Sequence, residues 1–241
     1  MNIALVGYGK MGKIIEKLAP DHEVRIAASF DIDRPLEDTP DVREKLKDVP
    51  VLIEFSTPEV VMKNLNTGLA LGKRMVVGTT GWHDRLAEVE KRVAAADTGL
   101  VYASNFSLGV NLFYEILDQA GRMMSGFHQY DLFVEEAHHQ FKKDAPSGTA
   151  LVIRKILQEH NAEKKIPVSS VRAGYIPGTH AVSFDSRVDT IRLEHTARNR
   201  EGFAEGALIA AKWIADQKGC YEFHDVLRSM LQKNVTTGRK G

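Results

Sequence analysis

A dense polar block occupies positions 136–150, in the order Glu136-Ala137-His138-His139-Gln140-Phe141-Lys142-Lys143-Asp144-Ala145-Pro146-Ser147-Gly148-Thr149-Ala150. The adjacent imidazoles of His138 and His139, with Lys142 close behind, supply groups that can hand over a proton near neutral pH. Pro146-Ser147-Gly148-Thr149 then opens an apolar-periodic run through Ala150, Leu151, Ile153 and Ile156, which predicts a helix over 147–160. Its N-terminus offers hydroxyls and free backbone N–H groups to an anion. Proton donors beside an anion cradle suit a small substrate carrying carboxylates or phosphate. Locally, the same residues also fit a polar strand-to-helix loop with surface His and Lys. Metal binding by His138 and His139 is disfavoured, because neighbours on a strand face opposite ways and no cysteine or third ligand stands at a usable spacing. No metal is expected.

The elements that must position this block begin at the N-terminus. Ile3-Ala4-Leu5-Val6 is a continuous apolar run, as in a buried parallel strand, and it ends in Gly7-Tyr8-Gly9-Lys10-Met11-Gly12 before the helical pattern Ile14, Ile15, Leu18. Strand, G-x-G-x-x-G and helix together suggest a dinucleotide site: Gly7 permits the tight turn, Gly9 the approach of a pyrophosphate, Gly12 close helix–sheet packing. A second apolar run over 24–30 ends at Asp31, where such a site needs an acid for the ribose hydroxyls. A glycine turn in some other α/β protein is the competing reading.

Beyond a polar connector over 33–50 with a short helix at 42–47, strands over 51–55, 74–77 and 100–103 alternate with helices over 59–71 and 84–96. That rhythm implies parallel βαβ units with ligands at the carboxyl ends of the strands. Those ends carry Phe55-Ser56-Thr57, Gly78-Thr79-Thr80 and Ser104-Asn105-Phe106, loops suited to lining the nicotinamide half of a dinucleotide site.

The second half reads differently. A helix over 108–124 and a strand over 131–138 deliver the polar block, and after its helix the runs 168–172, 180–184 and 190–195 have no helices between them. They predict a mostly antiparallel sheet, with faces rich in Val, Phe and Ile that need a partner to cover them. Helices over 201–217 and 224–232 close the pattern, and the polar tail 234–241 is expected to be mobile. Met11, Met62, Met123, Met124, Trp82 and Trp213 read as packing residues. The expected fold is α/β: a Rossmann-type doubly wound parallel sheet domain plus a second α+β domain with a mostly antiparallel sheet.

Composition limits the partners. The 241 residues are 43% hydrophobic and 27% charged, ordinary for a globular chain of one or two domains. A net charge of +0 provides no field for nucleic acid or an acidic membrane, so any anion must be held locally. The single cysteine, Cys220, excludes an intrachain disulfide and suits a reducing cytosol. With no leader pattern and no apolar run of membrane-spanning length, a cytoplasmic protein is expected.

The block 136–150 resembles the signature E-[AL]-H-H-x-x-K-x-D-[AS]-P-S-G-T-A of the dihydrodipicolinate reductases, nicotinamide-dependent enzymes of lysine and diaminopimelate synthesis. The three loops at the strand ends resemble those that contact the nicotinamide ribose and carboxamide in that family, and the resemblance spans nearly the whole chain. It implies a dinucleotide-binding domain of 1–105 and 199–241, and a substrate-binding and oligomerisation domain of 106–198. The two crossings, near Phe106 and Arg198, would form a hinge, and the second sheet would build a homotetramer.

Chemically, the resemblance implies hydride transfer to C4 of dihydrodipicolinate, or of its hydrated 4-hydroxy precursor with loss of water, giving tetrahydrodipicolinate. His138 and Lys142 would donate the proton and stabilise charge. His139, Lys142 and the Ser147-Gly148-Thr149 helix start would hold the two carboxylates of a dicarboxylate substrate. The glycine turn from Gly7 to Gly12, with Lys10 and Met11, would hold the cofactor together with Asp31 and the three loops.

Departures from the family pattern are local. Arg172, Gly174, Gly178 and His180 fit a family motif R-x-G-x-x-x-G-x-H, but Tyr175 and Thr179 stand where acidic residues are common, and no catalytic role is assigned there. Ile32 follows Asp31 where members that grip NADPH often carry a basic residue. Asp31 should repel a 2′-phosphate, whereas Lys10 and an Arg34 on an unrestrained loop could pair with one. Use of NADH and NADPH is expected, with NADH modestly favoured. Another Rossmann dehydrogenase, acting on homoserine or a semialdehyde, would leave the His-His-x-x-Lys block without a task. A nicotinamide-sensing regulator would not need intact proton donors, and no DNA-reading motif is present.

Overall fold

Ile3, Ala4, Leu5 and Val6 are buried on both faces, and they form β1 (Asn2–Val6) inside a sheet rather than at its edge. The computed structural model describes residues 1–237, with side chains through residue 232. In chain order, β1 is followed by α1 (Lys10–Leu18), β2 (Arg25–Phe30), α2 (Pro40–Lys45), β3 (Val51–Glu54), α3 (Val61–Ala70), β4 (Arg74–Val77), α4 (Leu86–Ala95) and β5 (Gly99–Tyr102). Then come α5 (Leu108–Met124), β6 (Asp131–His138), α6 (Gly148–His160), β7 (Val168–Arg172), β8 (Thr179–Asp185) and β9 (Thr190–Thr196). Last are α7 (Glu201–Ile214), β10 (Gly219–Glu222) and α8 (Phe223–Thr237). The chain divides into two compact units, one of Met1–Leu108 with the segment from Arg200 onward, the other of Gly109–Asn199.

The first unit holds a six-stranded sheet in the order β10-β5-β4-β3-β1-β2, with every neighbouring pair parallel. Because successive strand residues face opposite ways, Ile3, Leu5, Ile53 and Val76 enter one core while Ala4, Val6, Leu52, Met75 and Val77 enter the other. Apolar groups on both faces force helices onto both, which is the doubly wound arrangement. Fully burying each Leu, Ile or Val contributes about 1.5–3 kcal/mol. The alanine-rich α7 lies in the first core through Ala204, Ala207, Ala210 and Ala211. Its Gly206 passes so close to the chain that a Cβ there would lie 1.8 Å from the Phe106 carbonyl oxygen.

The second unit holds a four-stranded sheet in the order β7-β6-β8-β9. β6–β8 and β8–β9 are antiparallel, and β6–β7 is parallel. Leu132, Val134, Val182 and Phe184 pack with Phe113 and Leu117 of α5 and Ile153 and Leu157 of α6. Helices of the same unit therefore cover the Val and Phe face that the sequence left waiting for a partner. The opposite face pairs Phe133 with Ser183 and Glu135 with Ala181, and Arg192 forms ion pairs there with Glu135 and Glu194.

Several boundaries differ from the sequence expectation. β10 was not anticipated, because Gly219-Cys220-Tyr221-Glu222 is a four-residue edge strand with no clear alternation. α8 continues to Thr237, so 234–237 are helix rather than tail, and the remainder of that tail, 238–241, lies outside the described residues. α7 stops at Ile214, and α3 begins two residues later than its apolar period suggests, after a turn closed by Val60 and Val61 N–H on the Thr57 carbonyl at 3.2 and 3.1 Å.

Candidate functional site

In the second unit, the alternation of β6 places Glu136 and His138 on the covered face, 2% and 8% exposed. The parallel register sets the last residue of β7, Arg172, opposite His138. From there its guanidinium reaches Glu136 with both nitrogens, Nη2 donating to Oε1 at 2.7 Å and Nη1 to Oε2 at 3.0 Å. Such a two-point pair is directional as well as strong. Burial works against ionisation of Glu136, yet Arg172, the Ser170 hydroxyl and His138 overcome it and hold the carboxyl at about 2. The same carboxylate accepts from the Ser147 N–H at 3.3 Å and contacts His138 Nδ1.

Two more histidine environments follow from the strand pairing. β8 places His180 opposite Glu136, its ring edge-on to His138 at 5.1 Å. Burial, reinforced by the charge of His138, pushes His180 down to about 4, so it is neutral near pH 7. Burial also lowers His138, assisted by the Lys142 and Arg172 charges and opposed by Glu136. His180 Nε2 lies 3.1 Å from Ser147 Oγ, which accepts from the Ala150 N–H at 3.2 Å and so caps α6. The helix start foreseen at Ser147 is therefore tied to the sheet by both its backbone N–H and its hydroxyl. Gly148 and Thr149 form the first positions of that helix.

Lys142 stands in the turn beyond β6, where its N–H donates to the His139 carbonyl at 3.1 Å and its ammonium lies 2.9 Å from Asp144 Oδ1. That cation pulls the Asp144 carboxyl below the usual carboxylate range. His139 Nδ1 is buried without a hydrogen-bond partner.

Sequence reasoning found the two histidines, Lys142 and the helix start, but it gave Glu136, Arg172 and His180 no role, since only strand register brings them together. It also missed that Glu136, His138 and His180 place ligand atoms within 4.8 Å of one another. A third donor thus lies near after all. However, the Arg172 guanidinium already occupies both Glu136 oxygens and would repel a cation, so the cluster reads as a hydrogen-bond network.

In the first unit, a cavity of about 440 Å³ is lined by Gly9, Lys10 and Met11 of the glycine turn, by Phe55, Ser56 and Pro58 after β3, and by Gly78, Thr79 and Thr80 after β4. Gly7 has φ +92°, and a Cβ there would lie 2.3 Å from the Phe55 carbonyl oxygen. Gly9 has nothing within 4 Å of an added Cβ and caps α1 without any side-chain bond, so open space lies before a helix N-terminus. These features fit a dinucleotide phosphate. Ser56 is held from below by Glu54, a fully buried carboxyl that accepts from the Ser56 hydroxyl and from Asn64 Nδ2 at 3.1 Å. Burial raises Glu54, against the hydrogen bonds that lower it.

Other expected cofactor residues are not part of this cavity's lining. Phe106 is a core residue, 1% exposed, with its ring 5.9 Å from Phe55 and 4.9 Å from Phe223. Asn105 Oδ1 accepts from the Ser107 N–H at 2.8 Å, and Ser104 and Thr57 are exposed outside the cavity lining. Gly12 packs beneath the turn, where a Cβ would meet the Gly7 carbonyl oxygen at 2.5 Å. Asp31 follows β2 at the surface, its Oδ1 accepting from the Ile32 N–H at 2.9 Å. Asp31 and Arg34 exchange backbone hydrogen bonds, each 3.0 Å. Arg34 is thus pinned opposite Asp31 by a tight turn, which corrects the unrestrained loop expected from sequence.

Known proteins bear out the pattern in both units. A family model described as "Dihydrodipicolinate reductase, N-terminus" matches residues 1–106, and its counterpart "Dihydrodipicolinate reductase, C-terminus" matches residues 109–227. A 4-hydroxy-tetrahydrodipicolinate reductase of Christiangramia forsetii is 37% identical, covering 96% of this chain and 100% of its own. One of Archaeoglobus fulgidus is 36% identical over 94% of this chain and 100% of its own. In fold, a dipicolinate-bound dihydrodipicolinate reductase from a Paenisporosarcina species matches with a TM-score of 0.77 at 22% identity, covering 94% of this chain and 99% of that one. The chain therefore belongs to the dihydrodipicolinate reductase family, the NAD(P)H-dependent enzymes that convert dihydrodipicolinate or 4-hydroxy-tetrahydrodipicolinate to tetrahydrodipicolinate in lysine and diaminopimelate biosynthesis.

Proposed function

We propose that Lys142 and His138 supply the proton and charge stabilisation for this reduction, and that His139, Lys142, Ser147, Gly148 and Thr149 hold the two substrate carboxylates. The observation that carries this reading is the tie between β6 and α6. Glu136 and Ser147 fasten the strand that bears His138 to the helix start, so an acid–base group and an anion site share one rigid frame. The nicotinamide, when bound, supplies hydride to C4 of the substrate. Lys142 meets the negative charge that develops along the conjugated imine, a contact stronger in the transition state than before it. The helix start and His139 orient the carboxylates, whose charge does not change during the reaction.

For the cofactor, the glycine turn with Lys10 and Met11 would hold the pyrophosphate, and Ser56, Gly78, Thr79 and Thr80 would face the nicotinamide half. Phe55 and Phe106 support this cradle from its floor. Asp31 would accept from the adenosine ribose hydroxyls of NADH, while Arg34, pinned beside it, gives the 2′-phosphate of NADPH a partner. Both cofactors serve, and NADH is modestly favoured. We assign residues 1–105 and 199–241 to dinucleotide binding and 106–198 to substrate binding and assembly. The working form is a cytoplasmic homotetramer; among the described residues no helix is long and apolar enough to cross a membrane.

The test is an assay that follows oxidation of reduced cofactor while aspartate semialdehyde and pyruvate are condensed by the preceding enzyme. Turnover is expected, and dipicolinate, the ligand named for the Paenisporosarcina relative, should compete with substrate. A monocarboxylate analogue that binds as tightly as dipicolinate would refute the two-anion pocket.

A further inference from the structure

The two nitrogens of His138 face different chemistry. Nδ1 meets the Glu136 carboxylate, which Arg172 holds on both oxygens at 2.7 and 3.0 Å. A carboxylate paired in this way can only accept, so the hydrogen between the two side chains resides on Nδ1. Nε2 lies on the opposite edge of the ring, against Gly178, where an added Cβ would come within 3.1 Å. That glycine has φ +144° and closes the β7–β8 loop over the imidazole. A neutral imidazole carries one N–H, so fixing it at Nδ1 leaves Nε2 a bare acceptor.

The surroundings also keep the ring neutral. Of the charged and titratable groups around it, Glu136 on its own strand favours the imidazolium, Arg172 from β7 and Lys142 from the following turn oppose it with positive charge, and His180 from β8 is itself held neutral by burial. Burial acts in the same direction as those cations. With one hydrogen, already committed to Glu136, the ring has none to give at Nε2.

We propose that Arg172 and Glu136 are positioning residues that lock His138 in its Nδ1–H tautomer, so that Lys142 delivers the proton and His138 Nε2 serves as a hydrogen-bond acceptor. The proposal rests on the assignment of Lys142 and His138 to the reaction and divides the labour between them. Hydride brings two electrons and one hydrogen to substrate C4, and the second hydrogen arrives as a proton from Lys142 Nζ. The ammonium becomes an amine and is recharged from water. His138 ends each turnover with the hydrogen it began with, and the Glu136 carboxylate is unchanged.

The tautomer is read directly from two-bond proton–nitrogen correlations of histidine-labelled full-length protein near pH 7.5, with the His138 signals assigned by their loss in His138→Gln. The expected wild-type pattern is a protonated Nδ1 and a bare Nε2. Glu136→Gln should move population toward Nε2–H and lower kcat by ~10-fold or more, with KM for the nucleotide unchanged. Arg172→Lys, which keeps the charge but loses the two-point grip, should fall between. A wild-type spectrum with the hydrogen on Nε2 overturns the proposal, as does a Glu136→Gln protein that keeps both tautomer and kcat. The wild-type spectrum decides even if the buried variants do not fold. It also needs no turnover, so it stands apart from the underlying assignment, which fails separately if Lys142→Ala retains wild-type kcat.

Discussion

Lys142 and His138 differ in how much of their role residue type alone reveals. Two histidines and a lysine within five positions declare proton chemistry, and the spacing to Ser147 declares a helix start. What decides the state of His138 is invisible along the chain, because Arg172 reaches Glu136 only through the parallel pairing of β6 with β7. Lys142→Ala and His138→Ala should each lower kcat by ~10²-fold or more while nucleotide affinity, measured by cofactor fluorescence, stays near wild type. His180 yields a second expectation, with a definite sign. Its folded value of about 4 lies below the ordinary 6.5, so between these pH values the unfolded chain takes up a proton that the folded one refuses. Stability contributed by neutral His180 is therefore present above pH 6.5 and is lost as pH falls toward 4. Urea midpoints for wild type should drop across that window, and His180→Gln should flatten the drop; parallel curves would show that another group controls the acid limb.

Elements were legible where one period dominates. β1, β4 and α5 follow directly from apolar runs and helical spacing, whereas the edge strand β10 carries too short a pattern to stand out. The start of α6 was read from Ser147, but its anchorage to Glu136 and His180 required the tertiary fold. Thr149→Val at that helix start should raise KM for the substrate more than it changes kcat, because carboxylate charge is the same before and during hydride transfer. Equal losses in kcat and kcat/KM would place Thr149 at the reacting atoms instead. The turn after β2 bears on cofactor choice: the proposed role of Asp31 predicts repulsion of a 2′-phosphate, and Arg34 is fixed opposite it by two backbone bonds. NADH should be preferred by no more than ~10-fold in kcat/KM, about 1.4 kcal/mol. Asp31→Ala should shift preference toward NADPH, and Arg34→Ala should weaken NADPH specifically. Strong NADPH preference that survives Arg34→Ala would sink this account.

At the scale of the whole molecule, the sequence announced two units because its rhythm changes from strand–helix alternation to strands without helices after α6. It left open which surface of the second sheet is available to a partner, since apolar strand residues alone do not say which face the chain's own helices cover. Leu132, Val134, Val182 and Phe184 are spent on α5 and α6. The open face instead carries Phe133, Val171 at 52% exposed, the small side chains of Ala181 and Ser183, and the cation of Arg192 between Glu135 and Glu194. Ala181 and Ser183 are each only 1% exposed, so Phe133, Val171 and the ion-paired side chains present the surface, and the Arg192 ion pairs let the acidic groups enter an interface without uncompensated charge. Wild-type protein should sediment as a tetramer. Arg192→Glu would gather three carboxylates on the open face, which costs little in a monomer where all three meet water but is repulsive once a partner excludes it. The variant should therefore dissociate while its far-ultraviolet circular dichroism remains that of wild type, and added salt should restore part of the assembly. An Arg192→Glu protein that sediments as wild type at low salt would place the assembly surface elsewhere.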